Sequence, residues 1–319
     1  MGKHGEAAAP HLAAVAKCLS DSQPHVGYMV RAAACEALGK HGEAAVPHLE
    51  AVAGLLSDDE FYVRAAACEA LGKHGEAAVP HLGAVAKCLS DNDRDVRAAA
   101  CGALGKHGEV GAEAVAQYLE HQDWQARQAA CKFLGDVGQA NGQTVAALVV
   151  PLLKSSEWFA REMACQVFGK LGEAAAPHLE AVARLLSDGR WEVRRAACSA
   201  LGNHGKANGQ TVAALVVPLL KSSEWFAREM ACQVFGKLGE AAVPHLGAVA
   251  KCLSDGDSDV RAAACTVLGK HGEAAAPHLG AVAECLADED PNVRAAACEA
   301  LGKHGEAAEQ YLDAVAACL

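Results

Sequence analysis

Aromatic side chains are scarce, at 4% of 319 residues. The bulky rings that dominate ordinary globular cores are therefore few, and the interior must be built from smaller groups. No apolar run approaches the roughly 18 residues expected of a membrane span. The opening Met1-Gly2-Lys3-His4 is not a charged segment followed by an apolar stretch. A soluble, cytoplasmic chain without a membrane partner is expected. Positive charge is not in excess either, because the formal net charge is -11. Such a surface repels phosphate backbones, so nucleic acid is not an expected partner. Neither a Gly-rich phosphate loop nor a Ser-His-Asp arrangement recognisable by spacing occurs.

What is present is 52% hydrophobic residues, much of it alanine. Small side chains of high helix propensity suit thin helices packed closely together. The arrangement is repetitive. Arg-Ala-Ala-Ala-Cys begins at Arg31, Arg64, Arg97, Arg261 and Arg294, with weaker copies at Arg127, Arg161, Arg194 and Arg228. The intervals are 33, 33, 30, 34, 33, 34, 33 and 33 residues, a regularity that chance does not produce. Residues 140–175 also recur identically at 207–242, an offset of two repeats, so a two-repeat block was copied.

One unit runs from Gly42 to His74. Glu43 opens a first helix, where negative charge suits the dipole. Pro47 falls in about its first turn, where proline is tolerated or bends the helix. Leu49, Val52, Ala53, Leu55 and Leu56 form a stripe at helical spacing. Ser57-Asp58-Asp59-Glu60 is a turn and cap. A second helix through Val63, Ala66, Ala67, Ala70 and Leu71 ends at Gly72-Lys73-His74-Gly75, with glycine available for a left-handed cap. Neither helix pair can bury its own apolar faces, so successive pairs must stack.

Two helices, a proline in the first and a turn Asp six residues before a second-helix Arg together resemble HEAT repeats. The Val-Arg-x-Ala-Ala-x-x-x-Leu-Gly pattern is most similar to the short HEAT-like type also found in phycobilisome lyases. The resemblance covers the whole chain. It implies an all-α, right-handed alpha-alpha superhelix, a HEAT-like α-solenoid of nine helix pairs plus a terminal helix near 306–319. Residues 1–319 would form one continuous solenoid, with a shortened fourth repeat near 108–134. It also implies that Asp58/Arg64, Asp91/Arg97, Asp188/Arg194, Asp255/Arg261 and Asp288/Arg294 contribute to an ion-pair ladder along the stack. Ser155, Ser222 and an insertion at Ser22–Met29 are expected to interrupt it.

Fourteen cysteines sit at two fixed positions. Nine follow the marker Arg by four residues, Cys35 and Cys68 among them, and five (Cys18, Cys88, Cys252, Cys285 and Cys318) lie late in first helices. Equivalent residues of stacked repeats are about 8–10 Å apart, whereas a disulfide needs Cα atoms within about 7 Å. Small buried hydrophobes in a reducing compartment are expected, with Cys18 and Cys35 the kind of same-repeat pair that could break the rule. The 15 histidines fall mostly in Lys-His-Gly and Pro-His-Leu families. Rows a repeat apart do not converge on one ion, so helix-end and surface histidines are expected, with no metal or other cofactor. One HEAT-repeat enzyme class, the iron-dependent deoxyhypusine hydroxylases, carries His-Glu motifs just after the marker Arg. This chain has no His-Glu dipeptide, and those positions hold alanine, Gln128, Glu162, Arg195 or Glu229. No catalytic residue is assigned and the chain is expected not to be an enzyme.

Variation marks the candidate surface. Positions one and five after the marker Arg share a helix face, and in HEAT-like solenoids second helices line the concave side. Repeats 1–3, 8 and 9 hold alanine at the first of these positions, but the central repeats carry Gln128/Lys132, Glu162/Gln166, Arg195/Ser199 and Glu229/Gln233. Drift at exposed positions is the plain alternative. Trp124, Trp158, Trp191 and Trp225 each precede a marker Arg by three residues and line one edge. They offer a docking ridge, or each ring staples the start of its own helix. The expected function is a non-catalytic scaffold holding a protein or peptide along the central concave face. The alternatives are a bilin-lyase-like or chaperone-like subunit acting on a pigment protein, and a structural or self-assembling array of natural or designed origin. A monomer, or weak end-to-end self-association, is expected.

Overall fold

The computed structural model describes residues 11–23 and 25–311, apart from the side chains of residues 306 and 310. The expected terminal helix therefore lies outside the described residues beyond Tyr311, with Asp313 and Cys318, as does His4. Every regular element among the described residues is helical. The chain divides into two compact units, Met1–Pro151 and Leu152–Leu319.

The first unit holds the second helices α1 (Gly27–Leu38), α2 (Phe61–Leu71), α3 (Arg94–Gly105) and α4 (Trp124–Val137). The second unit holds α5 (Trp158–Phe168), α6 (Trp191–Asn203), α7 (Trp225–Phe235), α8 (Ser258–Leu268) and α9 (Pro291–Lys303). Within each repeat the apolar stripes face one another. Leu49, Val52 and Leu56 meet the buried face of α2, where Val63, Ala67 and Leu71 are sealed from solvent. Among the described residues, the glycine after each Lys-His pair turns the chain: Gly75 takes φ 49° and Gly272 φ 46°, a left-handed conformation that costs other residues a Cβ clash.

The first helices are not continuous, which corrects the simple reading of Pro47. Gly42–His48 is a 3-10 segment containing Pro47, and only Leu49–Gly54 is α-helical. The ring of a proline collides with the carbonyl four residues back and leaves an α-helical bond unmade. Pro80, Pro177, Pro244 and Pro277 lie in matching 3-10 segments. Without a proline at this place, Gly108–Ala116 and Gly142–Val149 are α-helical from their first residue. Gly305–Tyr311 is 3-10 with Gln310 in the proline's place, so proline is not the only cause.

Neighbouring second helices approach closely where small residues meet. A Cβ placed on Gly72 would lie 2.6 Å from the Ala103 Cα, and one on Gly269 would lie 2.7 Å from the Ala300 Cα. The α3–α4 contact differs. Six residues after its marker Arg, α4 carries Phe133 where α2 and α3 carry Ala70 and Ala103. A Cβ on Gly105 would meet the Phe133 ring at an ordinary 3.7 Å. The buried Phe133 ring thus stands between α3 and α4 as a wedge.

The described histidines at this turn, in Lys-His-Gly and in Asn203-His204-Gly205, are not a surface family. His74 Nε2 lies 3.1 Å from the Leu38 carbonyl, His204 Nε2 2.7 Å from Phe168 and His304 Nε2 3.0 Å from Leu268. Each partner is the last residue of the preceding second helix, whose carbonyl lacks a helical donor. His74 and His204 are 8% and 3% exposed. Burial lowers the pKa of His74, His107 and His271. The rings of His74, His204 and His304 act as clamps between consecutive repeats. His41, with no second helix preceding it among the described residues, is exposed.

The close cysteine pairs also cross repeats. Cys68 neighbours Cys88, Cys232 neighbours Cys252 and Cys265 neighbours Cys285, each pair twenty residues apart. Cys18 and Cys35 are both free, so the same-repeat exception is not realised; burial pushes the Cys35 thiol up to about 12. The thirteen cysteines among the described residues are unbridged.

The contrast between glycines is testable. Gly269→Ala should destabilise the fold by about 1–3 kcal/mol, since the added methyl meets backbone. Gly105→Ala should be neutral or stabilising by up to about 1 kcal/mol, through helix propensity alone. Urea unfolding followed by helical circular dichroism measures both, and equal effects would contradict the wedge.

Candidate functional site

The candidate surface rests on the marker arginines, which set how second helices face one another. Arg64 is typical. Its Nη1 donates to the Asp58 and Asp59 carbonyls of its own turn at 2.8 and 3.0 Å. Its Nε and Nη2 donate to both carboxylate oxygens of Asp91 in the next turn, at 2.6 and 2.8 Å. Arg31–Asp58, Arg161–Asp188, Arg228–Asp255 and Arg261–Asp288 repeat this fork. The ladder is therefore present, and each rung joins an Arg to the following repeat's Asp. The insertion after Asp21 does not interrupt it, because Arg31 Nη1 still reaches the Asp21 carbonyl at 2.7 Å.

The same geometry fixes the charges. Burial alone would raise Asp58, Asp91 and Asp188, but hydrogen bonds from the Arg fork and a backbone N–H two residues on outweigh it, and all three lie below the usual range. In Asp255 and Asp288 the hydrogen bond from Arg228 or Arg261 is itself the leading cause of the lowering. Two interruptions are informative. Ser222 replaces the carboxylate ahead of Arg194, whose guanidinium instead lies 4.3 Å over the Phe226 ring. His121 replaces the carboxylate ahead of Arg97, a gap that attention to Ser155 and Ser222 alone overlooks.

In the second unit, the positions nominated from sequence occupy one face of α5, α6 and α7. Gln166, Arg195, Ser199 and Gln233 are exposed, and Glu162 and Glu229 half-buried. Gln166 Nε2 donates to Glu162 at 3.1 Å and Gln233 Nε2 to Glu229 at 2.7 Å, so each pair is braced along its helix. Burial, then the charge of Asp259, raises the pKa of Glu229. The Arg195 guanidinium sits 4.9 Å over Trp191. The row thus reads acidic, basic, acidic across three helices. Trp191 and Trp225 are 56% and 40% exposed, while Trp158 is half-buried beneath Arg190 at 5.6 Å. The tryptophan edge divides accordingly between open rings and a ring engaged with its neighbour.

In the first unit, Gln128, Lys132 and Trp124 line a cavity of about 730 Å³ beside the wedge. Arg94, Arg97, Cys101, Phe133, Asp136 and Val137 also line it. Trp124 is 55% exposed. The sequence signal for this cavity is a single departure from the repeat, Phe133 for alanine, and its lining residue Arg97 lacks a forward acid because His121 stands where aspartate would. Among the described residues, no three His, Cys, Asp or Glu side chains are grouped to hold a metal ion, and no helix is long and apolar enough to cross a membrane.

A family model for HEAT repeats matches residues 50–122, 112–184, 179–251 and 246–319. The chain belongs to the HEAT-repeat family. A search of curated proteins by sequence finds no match. Solved structures similar in fold include the karyopherin Kap121p bound to the extreme C-terminus of the protein phosphatase Cdc14p, at TM-score 0.63 and 17% identity over 95% of this chain and 38% of that one. Kap121p bound to Nup53p gives TM-score 0.62 and 16% identity, with the same coverage. Importin beta gives 0.56 and 18% over 92% of this chain and 45% of that one. The chain thus spans well under half the length of these karyopherins, and the likeness is one of fold.

The lowered groups predict acid sensitivity in two windows. An unfolded histidine binds a proton below about pH 6.5, before the buried ring of His74, His107 or His271 does, so stability falls as pH drops through that value. An unfolded aspartate binds one below about pH 3.9, before the forked carboxylates do, which causes a second loss on further acidification. In thermal melts the combined variant His74→Gln, His107→Gln, His271→Gln should flatten the first window and keep the second. An unchanged slope between about pH 7.5 and 5.5 would contradict the burial of these rings.

Proposed function

We propose that this chain is a non-catalytic scaffold that holds a protein or extended peptide on the exposed faces of its second helices. The observation that carries the reading is the row Glu162, Arg195 and Glu229 in the second unit, alternating in charge and braced by Gln166, Gln233 and Trp191. Braced side chains lose less freedom when a partner docks, so more of the contact energy appears as affinity. Alternating charges select partners by complementarity rather than by area. Trp191 and Trp225 supply adjoining apolar area of the kind that anchors interfaces. In the first unit, Gln128, Lys132 and Trp124 extend the same chemistry. The Kap121p structures described above are bound to other proteins, one of them through that protein's extreme C-terminus, which supports a holding role for this fold.

The test is selection from a displayed random peptide library on the intact chain, followed by binding to Glu162→Ala, Arg195→Ala, Glu229→Ala. Selected peptides should carry charge and lose at least about tenfold in affinity for the triple variant, with helical content unchanged. Selected peptides that bind both proteins equally would move the site off this row.

A further inference from the structure

The cavity of the first unit contains half of a ladder rung. Arg97 is anchored as its counterparts are, with Nη1 donating to the Asp91 and Asn92 carbonyls at 2.6 and 2.9 Å. In five other repeats the Nε and Nη2 edge of this arginine grips both oxygens of an aspartate at 2.6–3.0 Å. On Arg97 that edge has no acceptor among the described residues. The turn that should supply one has the right backbone: His121 has φ -65° and ψ 145°, against -64° and 143° at Asp91. His121 Nδ1 even accepts the Asp123 N–H at 3.1 Å, as Asp91 Oδ1 accepts that of Asp93. An imidazole cannot present two oxygens to a guanidinium fork.

Arg97 lines the cavity, whose walls are cationic and apolar. Arg94, Arg97 and Lys132 face the cavity with Asp136 as the single acid, in a chain whose net charge is -11. Phe133 holds α3 and α4 apart and floors the space with Cys101 and Val137, and Trp124 stands at its rim. A volume of about 730 Å³ is enough for one acidic side chain with an apolar neighbour.

We propose that this cavity binds an aspartate or glutamate side chain of an extended peptide, whose carboxylate takes the Arg97 fork in place of the missing ladder acid. Lys132 and Arg94 add long-range attraction, and the residue flanking the acid lies against Phe133 and Trp124. The inference rests on the scaffold reading and gives it a partner chemistry at Gln128, Lys132 and Trp124. It does not need the Glu162–Arg195–Glu229 row.

Calorimetric titration of the full chain tests it, with an acetylated, amidated Gly-Leu-Glu-Leu-Gly probe, its glutamine counterpart and free acetate. The glutamate peptide should bind at least about tenfold more tightly than the glutamine peptide or acetate. His121→Asp supplies the missing carboxylate from within, so it should abolish probe binding while raising Tm. Arg97→Lys keeps the charge but not the fork, and should weaken binding about tenfold with unchanged helical content. Equal binding of the two peptides, no heat with millimolar probe, or undiminished binding by His121→Asp overturns the proposal. Acetate binding as tightly as the peptide would make the site one for small free acids and overturn it too. Library-selected peptides that depend on the Glu162 row while this probe fails would leave the scaffold reading standing without this site.

Discussion

One arginine per repeat does most of the joining. Its guanidinium reaches back to the carbonyls of its own turn and forward to the carboxylate of the next. A planar group with five donors can serve both ends at once, and lysine could not. Because the pair is largely withdrawn from water, removing either partner would leave a costly orphan. The alanine-rich helices depend on this fastening, since their side chains alone give little to fix register. At the far ends of α1, α5 and α8 the rings of His74, His204 and His304 supply a matching restraint, so these helices are held at both ends and packed through alanine and glycine between them.

A uniform lattice of this kind makes departures meaningful. Ser222 leaves Arg194 without its acid, and Phe226 answers with a ring face. His121 leaves Arg97 without its acid, and the wedge of Phe133 opens a cavity there instead. Similar losses therefore have opposite outcomes, one a repaired rung and the other an open site. The proposed scaffold function rests on the same rule: the side chains that hold the array together are repeated, and the proposed docking residues are ones that depart from the repeat.

Much of this was legible in the sequence, because a period of about 33 residues fixes which positions are equivalent. The marker arginines, the turn aspartates, the capping glycines and the apolar stripes fall where the pattern puts them. The shared helix face of the row from Glu162 to Gln233 follows from helical spacing alone. Other features needed coordinates. The rung joins Arg64 to Asp91 rather than to its nearer neighbour Asp58, since the nearer residue offers only its carbonyl. His74 looks like a helix-end residue until the preceding helix is seen to end beside it. Cys68 finds Cys88 because stacking brings a first helix against the previous second one. Phe133 is one residue in a repeat of weaker likeness, and sequence alone does not separate a wedge from a core ring.

The account turns on whether the Arg97 fork is open, and the arginine side chains report this directly. Nitrogen-15 NMR can compare exchange of the Nε proton of Arg97 with those of Arg64 and Arg31 in the same sample. The account predicts protected Nε protons on Arg64 and Arg31, fast exchange on Arg97, and slowing at Arg97 alone when an acidic peptide is added. An Arg97 proton as protected as the Arg64 proton in the free protein would contradict it.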